Sequence, residues 1–261
     1  MKVLIMGLPG SGKTTLARAV VRELNGRGEA AAHVNGDDVR RRYDDWSFTR
    51  AGRERQALRM ARECSSYSHA IADFVCPTSD TLAVFEFQVP ADLIVWMDTI
   101  QTSRFPDTDA MFQPPARCDV RVRTWAKGWA HRIAGLIVQG EKPPTWDNRA
   151  ATVQLLGRYQ PWHAGHQALF ERAMEKTGQV CIMVRDAQGQ GDGNPFSAAQ
   201  VERNIHEALE VRFHGRYTVQ IVPNIVEIVY GRVVGYRITQ EDLGAAVHAI
   251  SATEIRREMA L

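Results

Sequence analysis

The sequence lacks long hydrophobic runs and a strong charge of either sign. None of its apolar stretches reaches the roughly 18 to 20 residues that cross a bilayer, and the apolar start at Met1–Met6 is far too short for a signal peptide. With 32 basic and 30 acidic side chains the net charge is +2, which creates no general field for binding polyanions. We therefore expect a cytoplasmic protein that acts on small molecules rather than on membranes or nucleic acids.

Cysteine is also scarce. The four cysteines lie far apart and form no C-x-x-C pair: Cys64, Cys76, Cys118 and Cys181. This spacing favours reduced, mostly buried thiols over disulfides or a zinc site. The composition, 44% hydrophobic and 24% charged, is that of a folded protein. The 261 residues predict two domains, because one domain takes roughly 100 to 200 residues.

The first half of the chain alternates short apolar runs with helical patterns, which is typical of a parallel sheet covered by helices. The pattern breaks at Gln139–Arg149, where glycine, two prolines and mixed charge occur, and then restarts. Strands are predicted at 2–6, 31–34, 69–76, 92–97, 119–123, 152–156, 179–184 and 217–222. Helices are predicted at 12–24, 50–68, from the last strand of the first half through 138, and at 166–175, 197–211 and 252–259. We predict an α/β protein with two doubly wound parallel-sheet domains, residues 1–139 and 151–261, joined by a linker at 140–150.

A phosphate loop is predicted at Gly7–Thr14 (GLPGSGKT), which fits G-x-x-x-x-G-K-[ST] between a strand and a helix. The glycines let backbone amides turn inward around phosphate oxygens, and the helix adds its positive N-terminal end. We expect Lys13 to reach the β- and γ-phosphates of ATP and the Thr14 hydroxyl to hold Mg²⁺. The predicted nucleotide-binding residues are Gly7, Gly10, Ser11, Gly12, Lys13, Thr14 and Thr15.

Acidic and basic side chains follow the second and third predicted strands. Asp37 and Asp38 are candidate catalytic groups that orient or deprotonate an acceptor hydroxyl; the alternative is that one of them caps the next helix. The run Arg40–Arg42 fits a solvated helix face better than a basic patch, and Arg40 is its best candidate for binding the acceptor. Asp73 ends an apolar run and is either a Mg²⁺-linked carboxylate or an ordinary acid at the end of a strand.

On these segments residues 1–125 resemble the adenylylsulfate kinase family of P-loop kinases. The resemblance is carried by MGLPGSGKTT, by NGDDVR and by Phe48–Arg53 (FTRAGR), with Gln56 and Arg59 following. It implies that Arg53 contacts the acceptor or its phosphate, and that one of the two neighbouring aspartates serves the acceptor hydroxyl.

Two segments differ from that family. Cys76–Ser79 (CPTS) stands where the family has Ser-Pro-Tyr-Arg, and the short, acidic Asp98–Pro115 stands where it has a long basic lid. Because these segments set substrate choice, the acceptor stays open, whereas phosphoryl transfer does not depend on them. Arg104 is either a lid arginine that closes over the γ-phosphate or a surface arginine near Asp107 and Asp109.

A second motif, Gly157–His166 (GRYQPWHAGH), lies between a strand and a helix predicted in the second half. Two histidines three residues apart suit a metal pair, but no cysteine or carboxylate follows at metal-ligand spacing. The preferred interpretation is nucleotidyl transfer, in which His163 and His166 stabilise charge on the α-phosphate and the leaving pyrophosphate. Gly165 is expected to let the nucleotide approach the backbone closely.

The complement of this motif is Ile250–Arg257 (ISATEIRR), which opens the last predicted helix. Ser251 and Thr253 are expected to donate hydrogen bonds to phosphate oxygens, and Arg256 to neutralise them as a bidentate partner. Alone this segment would be a helix cap with a surface arginine, but together with His163 and His166 it indicates a nucleotidyltransferase.

Residues 152–261 resemble the H-x-G-H nucleotidyltransferase superfamily, most of all the archaeal-type nicotinamide mononucleotide adenylyltransferases. The two motifs carry the resemblance together with Asn194–Ala198 (NPFSA). It implies that Arg158 lies near the triphosphate and Asn194 near the acceptor. Tyr230–Tyr236 either lines the acceptor pocket or forms a twisted hairpin, and ATP and CTP both stay open as the nucleotide.

The sequence thus predicts a bifunctional enzyme: a kinase that uses ATP and Mg²⁺, and a transferase that moves AMP or CMP onto a phosphorylated metabolite. Its substrates are small molecules, and a homo-oligomer stays open. The alternatives are a ribosylnicotinamide kinase with mononucleotide adenylyltransferase activity, and an adenylylsulfate kinase of sulfate activation. A nucleotide-sensing regulator or nucleic-acid-end kinase is a further alternative, against which the near-neutral charge argues.

Overall fold

The computed structural model describes residues 1–187, 191, 193–229, 231, 235, 237–248 and 250–258. Five members of the Tyr230–Tyr236 segment lie outside this part of the chain, namely Tyr230, Arg232, Val233, Val234 and Tyr236. The same holds for Met259, the last residue of the final predicted helix. The chain divides into two compact units, Met1–Pro143 and Pro144 onward. The boundary falls within the segment 140–150.

The first unit is built on a five-stranded parallel sheet. Its strands are β1 Lys2–Gly7, β2 Ala31–Asn35, β3 His69–Asp73, β4 Leu93–Met97 and β5 Val120–Val122. Its helices are α1 Lys13–Gly26, α2 Gly36–Arg42, α3 Arg50–Ser65, α4 Ser79–Gln88, α5 Pro106–Met111 and α6 Gly128–Gln139. The strand order β2-β3-β1-β4-β5 reverses direction at β1. Ligands of open parallel sheets bind at such a reversal, beyond the carboxyl ends of the strands.

The central strand β1 is buried, with Val3, Leu4, Ile5 and Met6 at most 1% exposed. A strand covered on both faces needs a continuous apolar run, which explains the sequence KVLIM. The strand register aligns Ile5 with Asp73 and, on the next strand, Asn35 with Asp73. The polar ends of β2 and β3 therefore meet beside the end of β1.

The second unit contains a parallel sheet of three described strands, β6 Val153–Gly157, β7 Val180–Arg185 and β8 Tyr217–Val222, in sequential order. Its helices are α7 Ala164–Thr177, α8 Ala198–Phe213, α9 Ala245–His248 and α10 Ala252–Glu258. Both units are α/β with parallel sheets, as predicted. The reversal of strand order that defines double winding occurs in the first sheet, whereas the described strands of the second follow one another along the chain.

A buried polar cluster joins α8 to β8. Glu210 is 2% exposed, and its carboxylate lies 2.7 Å from His206 Nδ1 and 2.9 Å from His214 Nδ1. The Tyr217 hydroxyl donates to the same carboxylate at 2.7 Å. A buried carboxylate is tolerated when several donors satisfy it, so this cluster fixes the end of α8 against the sheet.

No helix in the described part of the chain combines the length and the apolar character that a bilayer span requires. The thiols of all four cysteines are free, and three of them are buried.

Candidate active sites

The phosphate loop connects β1 to α1 through glycines that adopt positive φ: Gly7 (143°), Gly10 (87°) and Gly12 (92°). A Cβ on Gly7 would lie 2.5 Å from the backbone oxygen of Met97, so no side chain fits there. Gly12 is the N-cap of α1 and offers no side-chain cap. The first amides of α1 therefore keep their donors available for an anion.

Lys13 is the buried cation of the loop, 8% exposed. Its Nζ donates to the backbone oxygen of Leu8 at 2.8 Å. Burial lowers the pKa of Lys13 to about 8, although the attraction of Asp73 and Asp37 opposes this shift. Ser11 is also buried, and within the described residues its hydroxyl has no hydrogen-bond partner. A buried ammonium, an unpartnered hydroxyl and a helix start without a side-chain cap suit a phosphate ligand.

Asp73 lies next to the loop and is 2% exposed. The Thr14 hydroxyl donates to its Oδ2 at 2.5 Å, and the Asn35 amide donates to both carboxylate oxygens at 3.1 and 3.2 Å. His33 Nε2 lies 2.5 Å from Oδ1. Three side chains, one from α1 and two from β2, therefore converge on one carboxylate.

Asp37 and Asp38 begin α2, but neither is its cap. The Asn35 side-chain oxygen accepts from the amides of both residues at 3.1 Å, so the alternative that an aspartate caps this helix is wrong. Asp38 pairs with Arg41 at 2.6 Å on the surface. Asp37 lies close enough to Lys13 to influence its pKa. Asp37 therefore acts electrostatically on the buried lysine of the phosphate loop, whereas Asp38 is paired on the surface.

Arg40 and Arg53 are both buried, 6% and 8% exposed, and their guanidinium groups lie 4.6 and 5.6 Å from the ring centre of Phe48. Arg40 Nη1 donates to the backbone oxygens of Asp45 (2.9 Å) and Ser47 (3.1 Å). Burial lowers the pKa of both arginines. Arg40 thus holds the turn after α2, a structural task that its position beside the aspartates did not reveal.

Arg53 is the arginine that faces a cavity. Its Nε donates to the Phe48 backbone oxygen at 2.9 Å and its Nη2 to Thr108 Oγ1 at 3.2 Å. In the described part of the chain it has no carboxylate partner. The cavity, of about 190 Å³, is lined by Arg50, Arg53, Thr78, Ser79, Asp80, Thr81, Met111 and Gln113. The pair Arg50–Asp80, 2.7 Å, lies at this cavity; sequence analysis did not single out either residue.

Arg104 is exposed on the segment before α5, and its guanidinium lies 4.9 Å from the ring centre of Phe105. Asp109 instead accepts from the amide and hydroxyl of Ser103, at 2.7 and 2.6 Å. Arg104 is therefore a surface residue in this state of the protein.

A larger cavity, of about 730 Å³, adjoins the phosphate loop between α1 and α6. Its lining includes Thr15, Arg22, Trp125 and Lys127. The indole of Trp125 approaches the Cβ position of Gly12 to 3.6 Å, and the side chain is 46% exposed. Sequence analysis missed Trp125; an aromatic residue in the turn between β5 and α6 was the available signal.

His163 and His166 stack at the start of α7, with ring centres 3.7 Å apart. His163 is the N-cap, and its Nδ1 accepts from the Gly165 amide at 3.1 Å. Burial, with a smaller contribution from His163, lowers the pKa of His166 to about 4, and its Nδ1 is buried without a partner in the described residues. A Cβ on Gly165 would lie 3.0 Å from the His163 ring, so this glycine makes room for the histidine.

Helix α10 contacts the loop Gly157–His166 through Arg256. Arg256 donates to the backbone oxygen of Gln160 at 2.6 Å and to Thr253 Oγ1 at 3.1 Å. Arg158 approaches Asn194 Oδ1 to 3.4 Å. The structure thus brings Arg256, with Thr253 bonded to it, to the loop Gly157–His166, and Arg158 to Asn194. Ser251 lies one residue before α10 and is partly exposed.

The described residues hold no group of three or more His, Cys, Asp or Glu side chains arranged to bind a metal. Mg²⁺ in kinases is usually held by one or two protein oxygens together with substrate phosphates and water. Thr14 and Asp73 supply oxygens of that kind, so they fit a cation that arrives with its nucleotide.

A phosphate loop after the central strand of a sheet ordered β2-β3-β1-β4-β5 gives the first unit the fold of P-loop kinases. Within it, residues 1–83 match the adenylylsulphate kinase family. This match confirms the first part of the resemblance predicted over residues 1–125.

Individual relatives are more distant. The chain is 30% identical over 146 residues to the bifunctional enzyme CysN/CysC of Rhodopirellula baltica, a match over 46% of this chain and 23% of that protein. It therefore spans about a quarter of the length of this curated relative. The Mycobacterium tuberculosis APS kinase CysC, solved with AMPPNP and APS, is 21% identical, with 52% of this chain and 96% of that chain covered and a TM-score of 0.46. A hexameric APS kinase from Thiobacillus denitrificans is 22% identical, with 54% and 29% covered and a TM-score of 0.45.

Proposed function

We propose that the first unit transfers the γ-phosphoryl group of ATP to a hydroxyl of a small anionic metabolite. The observation that carries this proposal is the phosphate loop itself, with buried Lys13 and the bond from Thr14 to Asp73. The match of residues 1–83 to the adenylylsulphate kinase family supports the same activity. Phosphoryl transfer depends mainly on positioning and on charge stabilisation, which are the tasks this loop can perform.

Mg²⁺ would be held by the Thr14 hydroxyl oxygen and by the nucleotide phosphates. Because Thr14 donates its proton to Asp73, its lone pairs stay available for a cation. Asp73 would act through water on the same ion. When bound, the ion neutralises charge between the β- and γ-phosphates.

Asp37 is the residue that we assign to the acceptor hydroxyl, because it lies near Lys13 whereas Asp38 is paired with Arg41 on the surface. Arg53 would bind an anionic group of the acceptor, since it is a buried cation without a carboxylate partner in the described residues. Arg104 would reach the site only after a movement of its segment. The cavity beside Arg53 and the replaced segment Cys76–Ser79 leave adenylylsulfate as one candidate acceptor among several.

For the second unit we propose nucleotidyl transfer. His163 and His166 are stacked at the start of α7, and Arg256 is hydrogen-bonded to their loop. A nucleoside triphosphate fits this site for three reasons. The helix start favours anions, the guanidinium pairs with phosphate, and the imidazoles gain charge when phosphate binds. Ser251 and Thr253 would complete the phosphate site, and ATP and CTP are the candidate nucleotides.

Two sites on one chain favour consecutive reactions, in which the kinase product becomes the acceptor of AMP or CMP. Salvage of a pyridine nucleoside would fit these consecutive reactions because the second unit resembles nicotinamide mononucleotide adenylyltransferases. Sulfate activation would fit them because the first unit resembles adenylylsulfate kinases. The substrates are small molecules, and we propose a cytoplasmic enzyme.

Two substitutions test the proposal on the full chain. Lys13→Ala is expected to abolish ATP-dependent phosphorylation of a metabolite extract while leaving pyrophosphate release intact, and His166→Ala is expected to do the opposite. Labelled products are identified by mass. If either substitution removes both activities while the protein remains folded, the two-site proposal is wrong.

A further inference from the structure

His33 is a side chain of the first unit for which the proposed reaction gives no role. It lies on β2 two residues before Asn35, so both side chains point to the same face of the sheet. The register aligns Asn35 with Asp73 on β3, which places both residues of β2 beside that carboxylate. The His33 side chain is 18% exposed.

The hydrogen bonds divide the Asp73 carboxylate into two oxygens with different surroundings. Oδ2 accepts the short bond from Thr14 (2.5 Å), the residue of the phosphate loop. Oδ1 lies 2.5 Å from His33 Nε2. With the Asp73 carboxylate ionised, His33 Nε2 carries the ring proton and donates a hydrogen bond to Oδ1. The Asn35 amide is shared between the two oxygens at 3.1 and 3.2 Å, and therefore does not favour either one.

This division gives His33 a geometric task. Without His33, the Oδ1 oxygen would keep, among the described residues, only the Asn35 amide, which it shares with Oδ2 at nearly the same distance. The carboxylate could then rotate about its bond to Cβ and weaken the bond from Thr14. The short bond to Oδ1 removes that freedom. When a hydrogen-bond partner of a metal-binding group is removed, metal affinity commonly falls by 10- to 100-fold.

Resting on the proposed kinase function, we propose that His33 is a positioning residue: it fixes the Asp73 carboxylate so that Thr14 presents its lone pairs to the cation of a Mg²⁺–nucleotide complex. His33 touches neither nucleotide nor acceptor. Its loss is expected to weaken the contribution of Mg²⁺ to nucleotide binding rather than nucleotide binding itself.

The test measures ADP binding to the full chain by titration calorimetry, once with Mg²⁺ and once with EDTA. His33→Leu keeps the approximate volume but removes the donor, and is expected to reduce the gain in ADP affinity from Mg²⁺ by about tenfold. Binding in EDTA is expected to stay within about twofold. His33→Gln is the matched control, because its amide nitrogen replaces Nε2, and it is expected to restore most of the gain.

The outcomes separate two failures. If the wild-type protein shows no Mg²⁺-dependent ADP binding, the proposed kinase function is wrong and the role of His33 falls with it. If the wild-type gain is present and His33→Leu retains it, only the role of His33 is refuted. Equal losses in the Leu and Gln variants would also refute it, because the donor would then be irrelevant. Should the Leu variant not fold, His33→Asn, whose amide is too short to reach Oδ1, is expected to show the same loss.

Discussion

Raising the pH from 7 to 9 is expected to weaken ADP binding by the first unit about tenfold, because Lys13 loses its proton in this range. Burial holds the pKa of Lys13 at about 8, in spite of the attraction of Asp73 and Asp37. At that value roughly nine-tenths of the free protein carries the charged lysine at pH 7 and roughly one-tenth at pH 9. Bound phosphate favours the charged form, so above pH 8 each binding event must first restore the proton.

The free-energy cost follows from the same shift. One pKa unit corresponds to about 1.4 kcal/mol, so the loss between pH 7 and pH 9 is about 1.4 kcal/mol of binding free energy. The direction is set by the lowered pKa of the free state. Affinity is close to its maximum at pH 7, is about half of the maximum at pH 8 and declines further above that, until the pH reaches the higher pKa of the complex.

The assay is a set of ADP titrations by calorimetry at pH 7, 8 and 9, with Lys13→Arg as the control. Arginine keeps its charge throughout this range, so its profile is expected to be flat apart from the titration of ADP itself. Because both proteins bind the same ADP, the difference between the two profiles isolates the lysine. Equal pH dependence in both proteins would refute the reasoning, and so would a wild-type affinity that does not fall.

Three further predictions concern single side chains. Gly7→Ala is expected to lower the free energy of unfolding by about 3 kcal/mol, because its φ is positive and the new Cβ would lie 2.5 Å from the Met97 backbone oxygen. Thermal denaturation measures this loss. Gly26→Ala is the control and is expected to be nearly neutral, because a Cβ there meets nothing within 4 Å. Binding of a nucleoside triphosphate at pH 6 is expected to take up protons, because phosphate raises the low pKa of His166. Calorimetry in two buffers of different ionisation enthalpy detects this uptake, and His166→Asn should reduce it to the share of His163, whose pKa burial also lowers. Glu210→Ala is expected to cost about 3 kcal/mol, because it removes the buried carboxylate that His206, His214 and Tyr217 share. The loss is expected to appear as faster hydrogen exchange in α8, whereas unchanged exchange would mean that the cluster contributes nothing.

The regular elements that sequence analysis found are those whose apolar spacing is strong. The strand at 2–6 and the helix that follows the phosphate loop appear as β1 and α1, with boundaries shifted by one or two residues. Helix α4, Ser79–Gln88 (SDTLAVFEFQ), was not predicted. Its apolar residues are spread around the helix instead of forming one face, so no helical period identifies it. The capping box between Thr78 and Thr81 was the signal available in the sequence.

The candidate residues were less predictable than the elements. Arg40 and Arg53 look alike in the sequence, yet Arg40 is bound to backbone oxygens of its own turn whereas Arg53 lines a cavity. Asp37 and Asp38 are adjacent, and α2 turns one towards Lys13 and the other towards Arg41. Such differences depend on packing partners that no local pattern specifies.

The sequence by itself determined the phosphate loop, because every requirement of that loop is local. The segment Lys2–Gly26 contains all of them: an apolar strand, three glycines with positive φ, and a lysine and a threonine at the start of a helix. Only the tertiary structure decided which distant side chains serve it. Asp73 is 59 positions from Thr14, and His33 is 40 positions from Asp73. They meet because parallel pairing brings the ends of β2 and β3 to the same edge of the sheet as the loop, and a strand register is a property of the assembled sheet rather than of any one segment.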